Sequence, residues 1–160
     1  HCVFFCIKFD ANLTFFLMIH VKPIANPQDI AKAFDIRRIV FVIEQECPPD
    51  EEYDEHETIS SHFLATSNGL PAGTCRYRKT DYGYKLERFA VLKEHRTAGI
   101  GAALLQNCLK ELGESGHILY LHAQEHAMGF YEKYGFKALG ERFFEAGIPH
   151  FKMTYQPVNQ

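Results

Sequence analysis

The chain has 160 residues, 46% of them hydrophobic and 23% charged. That length fits one domain, and that composition buries a full core and excludes a disordered tail or a low-complexity scaffold. Seventeen Lys+Arg against 20 Asp+Glu leave a formal charge of −3, without the basic excess of a nucleic-acid binder, so no nucleic acid is expected as a partner.

Residues 1–19 are apolar overall, but Lys8, Asp10 and Asn12 interrupt any spanning helix and no small-residue cleavage site follows, so no membrane partner is expected. A clean strand and helix pattern begins after Met18. Residues 1–17 are therefore expected to be a non-native or dispensable extension, with a genuine extra strand as the alternative, and residues 18–160 a single domain. Five scattered cysteines, Cys2, Cys6, Cys47, Cys75 and Cys108, form no C-x-x-C pair and read as reduced thiols of a cytoplasmic protein.

IHVKPI (19–24) alternates as a short strand. Asn26 and Pro27 then open a helix expected to run to about Gln45. Residues 46–58 form a loop rich in acid: Asp50, Glu51, Glu52, Asp54, Glu55 and Glu57. The run lacks the glycine of a calcium loop and reads as a solvated cluster, or alternatively as an attractor of a cationic amine. SHFLAT (61–66), AGTCRYRK (72–79) and YKLERFAV (84–91), separated by Asn68-Gly69 and Asp81-Tyr82-Gly83, form an antiparallel meander. Ile100, Leu104, Cys108 and Leu112 repeat at helical spacing. ILYLH (118–122) is a buried strand, a helix follows with Ala127, Phe130, Tyr131 and Tyr134 on one face, and two strands around Gly147-Ile148-Pro149 end the chain. The order gives one mixed α/β sheet.

The most informative stretch is ERFAVLKEHRTAGIGAALL, where a strand ends, a loop delivers Arg96, and Gly99-Ile100-Gly101 opens a helix. Glycines there let backbone approach a phosphate, and the free amides and positive dipole end favour the charge. A plain helix-start turn is the commoner meaning of G-x-G alone. A Rossmann site lacks its third glycine and acidic ribose ligand, and a P-loop lacks G-K-[ST].

The combination R-T-A-G-I-G with A-M-G-F-Y-E-K-Y-G-F thirty residues on resembles the GNAT superfamily of acetyl-CoA-dependent N-acetyltransferases, whose pyrophosphate loop reads [QR]-x-x-G-x-[GA]. FVIEQ (41–45), LERFAVL (86–92), AQ (123–124), FYEKYGF (130–136) and GIPH (147–150) are similar to its ElaA/YjcF-like branch. The resemblance implies a GNAT fold, a single mixed sheet with helices on both faces. It implies that the pantetheine arm of acetyl-CoA runs between two splayed parallel strands along Phe89, Ala90 and Val91, with the pyrophosphate over Arg96, Thr97, Ala98, Gly99, Ile100, Gly101 and Ala102. A backbone N–H near Phe89 or Ala90 would stabilise the tetrahedral oxyanion. Gln124 and Phe130 would face the cofactor.

By the same resemblance Tyr131 is the phenol that protonates the departing thiolate of CoA, a feasible transfer given ordinary pKa values of about 10 and 8.5; Tyr134 reads as packing. For the base that takes the amine proton, Lys85 stands where many family members carry a carboxylate, which leaves Glu87, Glu44 and His150 as candidates beside a water chain or an amine that arrives neutral. For each of the three a surface or structural role is an equal reading. His122-Ala123-Gln124-Glu125-His126 spells the inverted zinc-protease motif, but His122 closes a strand while helix periodicity starts near Glu125, so no metal is expected. The resemblance therefore implies direct acetyl transfer to a primary amine, of a small molecule or a peptide, in a ternary complex, and it leaves a homodimer open. The competing readings are a non-catalytic acyl-CoA-binding module and a protein-lysine acetyltransferase whose acidic loop docks basic tails.

Overall fold

The computed structural model describes residues 2–7 and 15–156, with side chains from Met18 onward. A sheet of nine strands runs in the order β1-β2-β3-β4-β5-β6-β9-β7, and β8 pairs with β9. β1 (Cys2–Ile7), β2 (Phe15–Pro23), β3 (Ser61–Ser67), β4 (Leu70–Lys79) and β5 (Tyr84–Val91) are antiparallel neighbours. β6 (Leu119–Gln124) is parallel to β5 and antiparallel to β9 (Ile148–Tyr155), which also carries β7 (Phe136–Ala138) and β8 (Phe143–Glu145). The expectation that residues 1–17 are dispensable concerns the strand residues 2–7 and 15–17; the remainder of that stretch lies outside the described residues.

Alternation along β3 assigns the two faces of the sheet. Phe63 and Ala65 join the larger core under α3 (Ile100–Leu112), with Ile100, Leu104, Leu105 and Cys108, whereas Leu64 joins Ile36, Val40 and Ala90 under α1 (Pro27–Arg37). Helices therefore cover both faces, as the resemblance implies. α3 lies close on β4 because Gly73 has no side chain: a Cβ there would meet Ile100 Cγ2 at 2.7 Å and the Ala90 carbonyl oxygen at 3.0 Å.

Asn26 caps α1 by accepting from the Asp29 amide at 2.9 Å. The helix expected to reach Gln45 changes pitch on the way: α1 ends at Arg37, and Arg38–Glu44 continues as a wider π-helical stretch, a departure that hydrophobic spacing does not encode. The final segment holds three strands rather than two. β7 is separate from β8, and the Gly147 turn falls between β8 and β9, with Pro149 inside β9.

The acidic run is not a uniformly solvated loop. Pro49–Glu52 forms α2, and Glu52, Asp54 and Glu57 turn inward, while Asp50, Glu51 and Glu55 stay exposed. Arg37, only 1% exposed, meets Glu52 at 2.5 Å and Glu57 at 2.6 Å. Arg76, equally buried, meets Asp54 and Glu57 at 2.7 Å and Glu87 at 3.0 Å. Arg88 closes the circuit on Glu52 at 3.2 Å and Asp54 at 3.3 Å. The sequence places these acids together, but their arginine partners come from α1, β4 and β5, so composition alone misreads the cluster. Burial raises the carboxyls of Asp54, Glu57 and Glu87, yet the arginines outweigh it and hold all three below the usual range.

Replacing Arg37 with Met leaves Glu52 and Glu57 short of a buried cation, and urea unfolding should show a loss of about 3–5 kcal/mol; a loss below about 1 kcal/mol removes the network from the account of stability. Because the folded-state pKa values of Asp54, Glu57 and Glu87 are depressed, their contribution is complete above the ordinary carboxylate range near pH 4 and drains away as pH falls through the depressed values. Acid unfolding of the parent should accordingly be steep below about pH 4 and shallower in Arg37→Met.

Candidate active site

β5 and β6 pair only at Tyr84↔Leu119 and Lys85↔Tyr120, although β5 continues to Val91 and β6 to Gln124. Beyond that rung the parallel strands part. On the other edge of β5 the ladder to β4 steps from Arg76↔Glu87 to Thr74↔Ala90, so Arg88 and Phe89 together oppose Cys75. This is a β-bulge, with Arg88 at φ 57°, and such an insertion takes backbone groups out of the ladder. Arg88 is held in that conformation from the α2 side, donating to the carbonyls of Glu51 at 3.0 Å and Glu52 at 3.2 Å.

The parted strands open into a cleft of about 1240 Å³. It is lined from both faces of the sheet: Phe89, Phe130 and Tyr131 from the α3 side, and Glu87, His122 and Gln124 from the α1 side. At its rim β5 ends at Val91, a 3₁₀ turn (Lys93–His95) leads to Arg96, and Thr97 and Gly99 take positive φ of 66° and 88° before Ile100 starts α3. Gly99 is the N-cap. It adopts the left-handed region without strain and leaves the first-turn amides without a side-chain cap. Gly101 faces the cleft, and a Cβ there would lie 3.6 Å from Phe130, an ordinary contact. Packing thus does not require glycine at 101; free space beside uncapped amides suits a ligand that brings negative charge close to backbone.

Most of the residues singled out from sequence converge here. Val91, Arg96, Thr97, Gly99, Ile100, Gly101 and Ala102 line the cleft, as do Phe89, Gln124, Phe130 and Tyr131, and the candidate bases Glu44, Glu87 and His150. Ala98 stands outside the wall, and the Ala90 side chain packs into the α1-side core. Tyr131 lies in α4 (Met128–Glu132), edge-on to Phe89 at 6.0 Å and Phe130 at 5.0 Å. Burial pushes its phenol well above the ordinary tyrosine range, so the hydroxyl keeps its proton.

The carboxylates differ from what sequence alone shows. Glu87 is gripped by Arg78 at 2.8 Å, Arg76 at 3.0 Å and Lys85 at 3.2 Å. Glu44 pairs with Arg96 at 2.5 Å, while Arg96 also donates to the Val91 carbonyl at 3.0 Å. His150 donates from Nδ1 to the Ile148 carbonyl at 2.8 Å and stacks on Phe143. Gln124 bonds Gln45 at 2.9 Å, tying β6 to the π-helical stretch. Sequence reading missed the pair formed by His122 and Glu145, at 2.7 Å and both on the cleft wall. It set His122 aside as half of a zinc motif. In the fold His122 belongs to β6 and His126 to a following 3₁₀ turn, and no local spacing points to a partner 23 residues away.

The sequence pattern described as "Acetyltransferase (GNAT) domain" matches residues 38–157, the stretch that builds this cleft. The chain belongs to the GNAT family of acetyltransferases. Members of this family use acyl-CoA as the donor. Over 132 residues the chain is 42% identical to YjcF of Bacillus subtilis, named as an uncharacterized N-acetyltransferase, covering 80% of this chain and 93% of that one. The crystal structure of Escherichia coli ElaA is similar with a TM-score of 0.78 at 25% identity, covering 87% of this chain and 100% of that chain. A GNAT acetyltransferase from Elizabethkingia anophelis, solved with acetyl-CoA bound, shares the fold at 19% identity, with a TM-score of 0.65 over 87% of this chain and 98% of its own.

Since Gly101 has room for a methyl group in the protein itself, Gly101→Ala should fold as stably as the parent or gain up to about 1 kcal/mol from helix propensity. Calorimetric titration with CoA should show near-parental binding for Gly101→Ala, because the loop pattern accepts alanine there, and binding weaker by about tenfold or more for Gly101→Val, whose branched side chain would hold the diphosphate off the amides. Unchanged affinity in a folded Gly101→Val would remove the α3 amides from the binding site.

Proposed function

We propose that this protein transfers the acetyl group of acetyl-CoA to a primary amine by direct attack within a ternary complex, and that residues 18–160 carry the activity. The observation that supports this most is the two-residue limit on the β5–β6 pairing, set against a bulge on β5 and an uncapped helix start at the same end of the cleft. Unpaired β5 backbone from Phe89 to Val91 offers hydrogen bonds to the amides of a pantetheine arm. The amides of residues 96–102 and the side chain of Arg96 receive the diphosphate, a role for which Arg96 exchanges its contact with Glu44. An N–H freed at the bulge polarises the thioester carbonyl and stabilises the oxyanion formed when the amine adds.

Tyr131 then donates its phenolic proton to the sulfur as the carbon–sulfur bond breaks. The protonated state favoured by burial suits this role, and the aromatic wall of Phe89, Phe130 and Phe136 keeps the transfer dry. Among the three sequence candidates for the base, Glu87 is held by three cations, Glu44 is released when Arg96 turns to the diphosphate, and His150 has a second ring nitrogen outside its bond to Ile148. The free thiols of Cys47, Cys75 and Cys108 support a cytoplasmic setting. Among the described residues no helix is long and apolar enough to cross a membrane.

Tyr131→Phe removes one hydroxyl and keeps the packing area, so acetyl-CoA affinity should hold while turnover falls by about 10²–10⁴-fold. Tyr134→Phe, which alters the neighbouring ring of the same aromatic group, should stay near the parental rate in the same thiol-release assay. Equal losses in both would point to disturbed packing. Tight acetyl-CoA binding with no turnover on any amine in the parent would favour a non-catalytic binding module.

A further inference from the structure

The structure assigns the acceptance of the amine proton to Nε2 of His122, with Glu145 as the positioning residue behind it. This rests on the acetyltransferase reading above and names a base that the family motifs do not carry.

His122 lies two residues beyond the last β5–β6 rung, level with Glu87 on the α1 face, where the strands have begun to part and the cleft wall is polar. Its Nδ1–H donates to Glu145 Oε1 at 2.7 Å, which leaves the Nε2 lone pair to face other groups. The ring is fixed further by an edge contact with Phe143 at 4.9 Å and by Tyr120 at 6.1 Å. Burial raises the Glu145 carboxyl, but its hydrogen bond to His122 and the charges of His122, Lys85 and His150 outweigh this, so Glu145 is held ionised.

An imidazolium formed at His122 therefore faces a carboxylate, and the bond between them becomes charge-assisted. One formed at His150 donates from Nδ1 to the neutral Ile148 carbonyl and has Glu145 only as a charge beyond ion-pair contact, in a residue that is 8% exposed. The charged and titratable groups around His122 are Lys85 and Glu87 of β5, Glu145 of β8, and His150 and Lys152 of β9. Lys152 is drawn away over the Tyr82 ring at 3.3 Å, and Lys85 is paired to Glu87, so the direct contact at Nδ1 is the anion.

The ammonium form of the acceptor yields one proton to Nε2, and the free amine adds to the thioester carbon. As the intermediate collapses, the expelled thiolate takes a proton from Tyr131 and the nitrogen loses its second proton to solvent. Solvent then reprotonates Tyr131 and takes the proton held by His122, so that one proton is released per turnover.

The test uses the full chain, acetyl-CoA, and two acceptor probes. Benzylamine is cationic at neutral pH, whereas hydroxylamine is neutral there and has less need of a base. His122→Gln should slow benzylamine acetylation by about 10²–10⁴-fold and hydroxylamine acetylation far less, with acetyl-CoA affinity within about two-fold of the parent. In the parent, kcat/KM for benzylamine should fall toward acid as the base is protonated, whereas in His122→Gln it should follow the fraction of free amine and keep rising with pH up to the alkaline titration of benzylamine itself. Nitrogen-15 NMR should show the Nδ1–H tautomer of His122 in the parent and a mixture in Glu145→Gln, a readout that a purely structural role of Glu145 would leave unmoved. Equal loss on both amines in a folded His122→Gln, or an Nε2–H tautomer in the parent, overturns the assignment. If neither amine is turned over, the tautomer and its response to Glu145→Gln decide alone. Failure of the acetyltransferase reading looks different: the parent would bind acetyl-CoA with no turnover on any amine, or would not bind it at all, whatever the tautomer of His122.

Discussion

Parallel pairing between β5 and β6 lasts for two residues and then stops, and the site depends on that interruption. A parallel sheet continued to Val91 and Gln124 would satisfy its backbone internally and leave nothing for a ligand to bond. Parting the strands costs hydrogen bonds that the fold recovers only when another extended, amide-bearing chain takes the place of β6. The α3 helix starts at the same end because Gly73 lets it lie on β4, and this brings its uncapped amides to the rim of the opening.

The bulge beside that opening needs support, since Arg88 is a non-glycine residue in the left-handed region. The support is the ring of Arg37, Arg76 and Arg88 with Glu52, Asp54, Glu57 and Glu87. Hydrophobic isosteres of a buried ion network are often as stable as the network itself. What an apolar replacement would not supply is an anchor for the Arg88 guanidinium, which donates to two backbone carbonyls of the acidic segment and so ties the bulge to it. The acidic loop thus acts on the cleft through backbone geometry as well as through charge.

The features legible in the sequence are those whose physical cause is local. Gly99 and Gly101 mark a helix start open to a phosphate, a reading that the family resemblance completes with Arg96, and the meander of β3 to β5 follows from strand-forming runs set apart by the turn residues Asn68-Gly69 and Asp81-Tyr82-Gly83. Tyr131 was legible only through family resemblance, because an aromatic on an apolar helix face reads equally well as core. The features missed are pairings across the fold. In the sequence Glu87 reads as a candidate base, and only the folded chain brings Arg76, Arg78 and Lys85 onto it; the acidic run reads as solvated for the same reason. His122 and Glu145 meet because the β8–β9 hairpin folds back toward β6, a geometry that no spacing rule contains.

The central claim is that β5 beyond the bulge and the start of α3 are one binding surface for acyl-CoA. Amide hydrogen exchange of the full chain with and without CoA measures this backbone directly. The expected result is protection confined to the amides of Phe89–Val91 and of residues 96–102, with the β3–β4 ladder unchanged. Protection that spares both segments, or that appears only elsewhere while CoA is bound, would contradict the account.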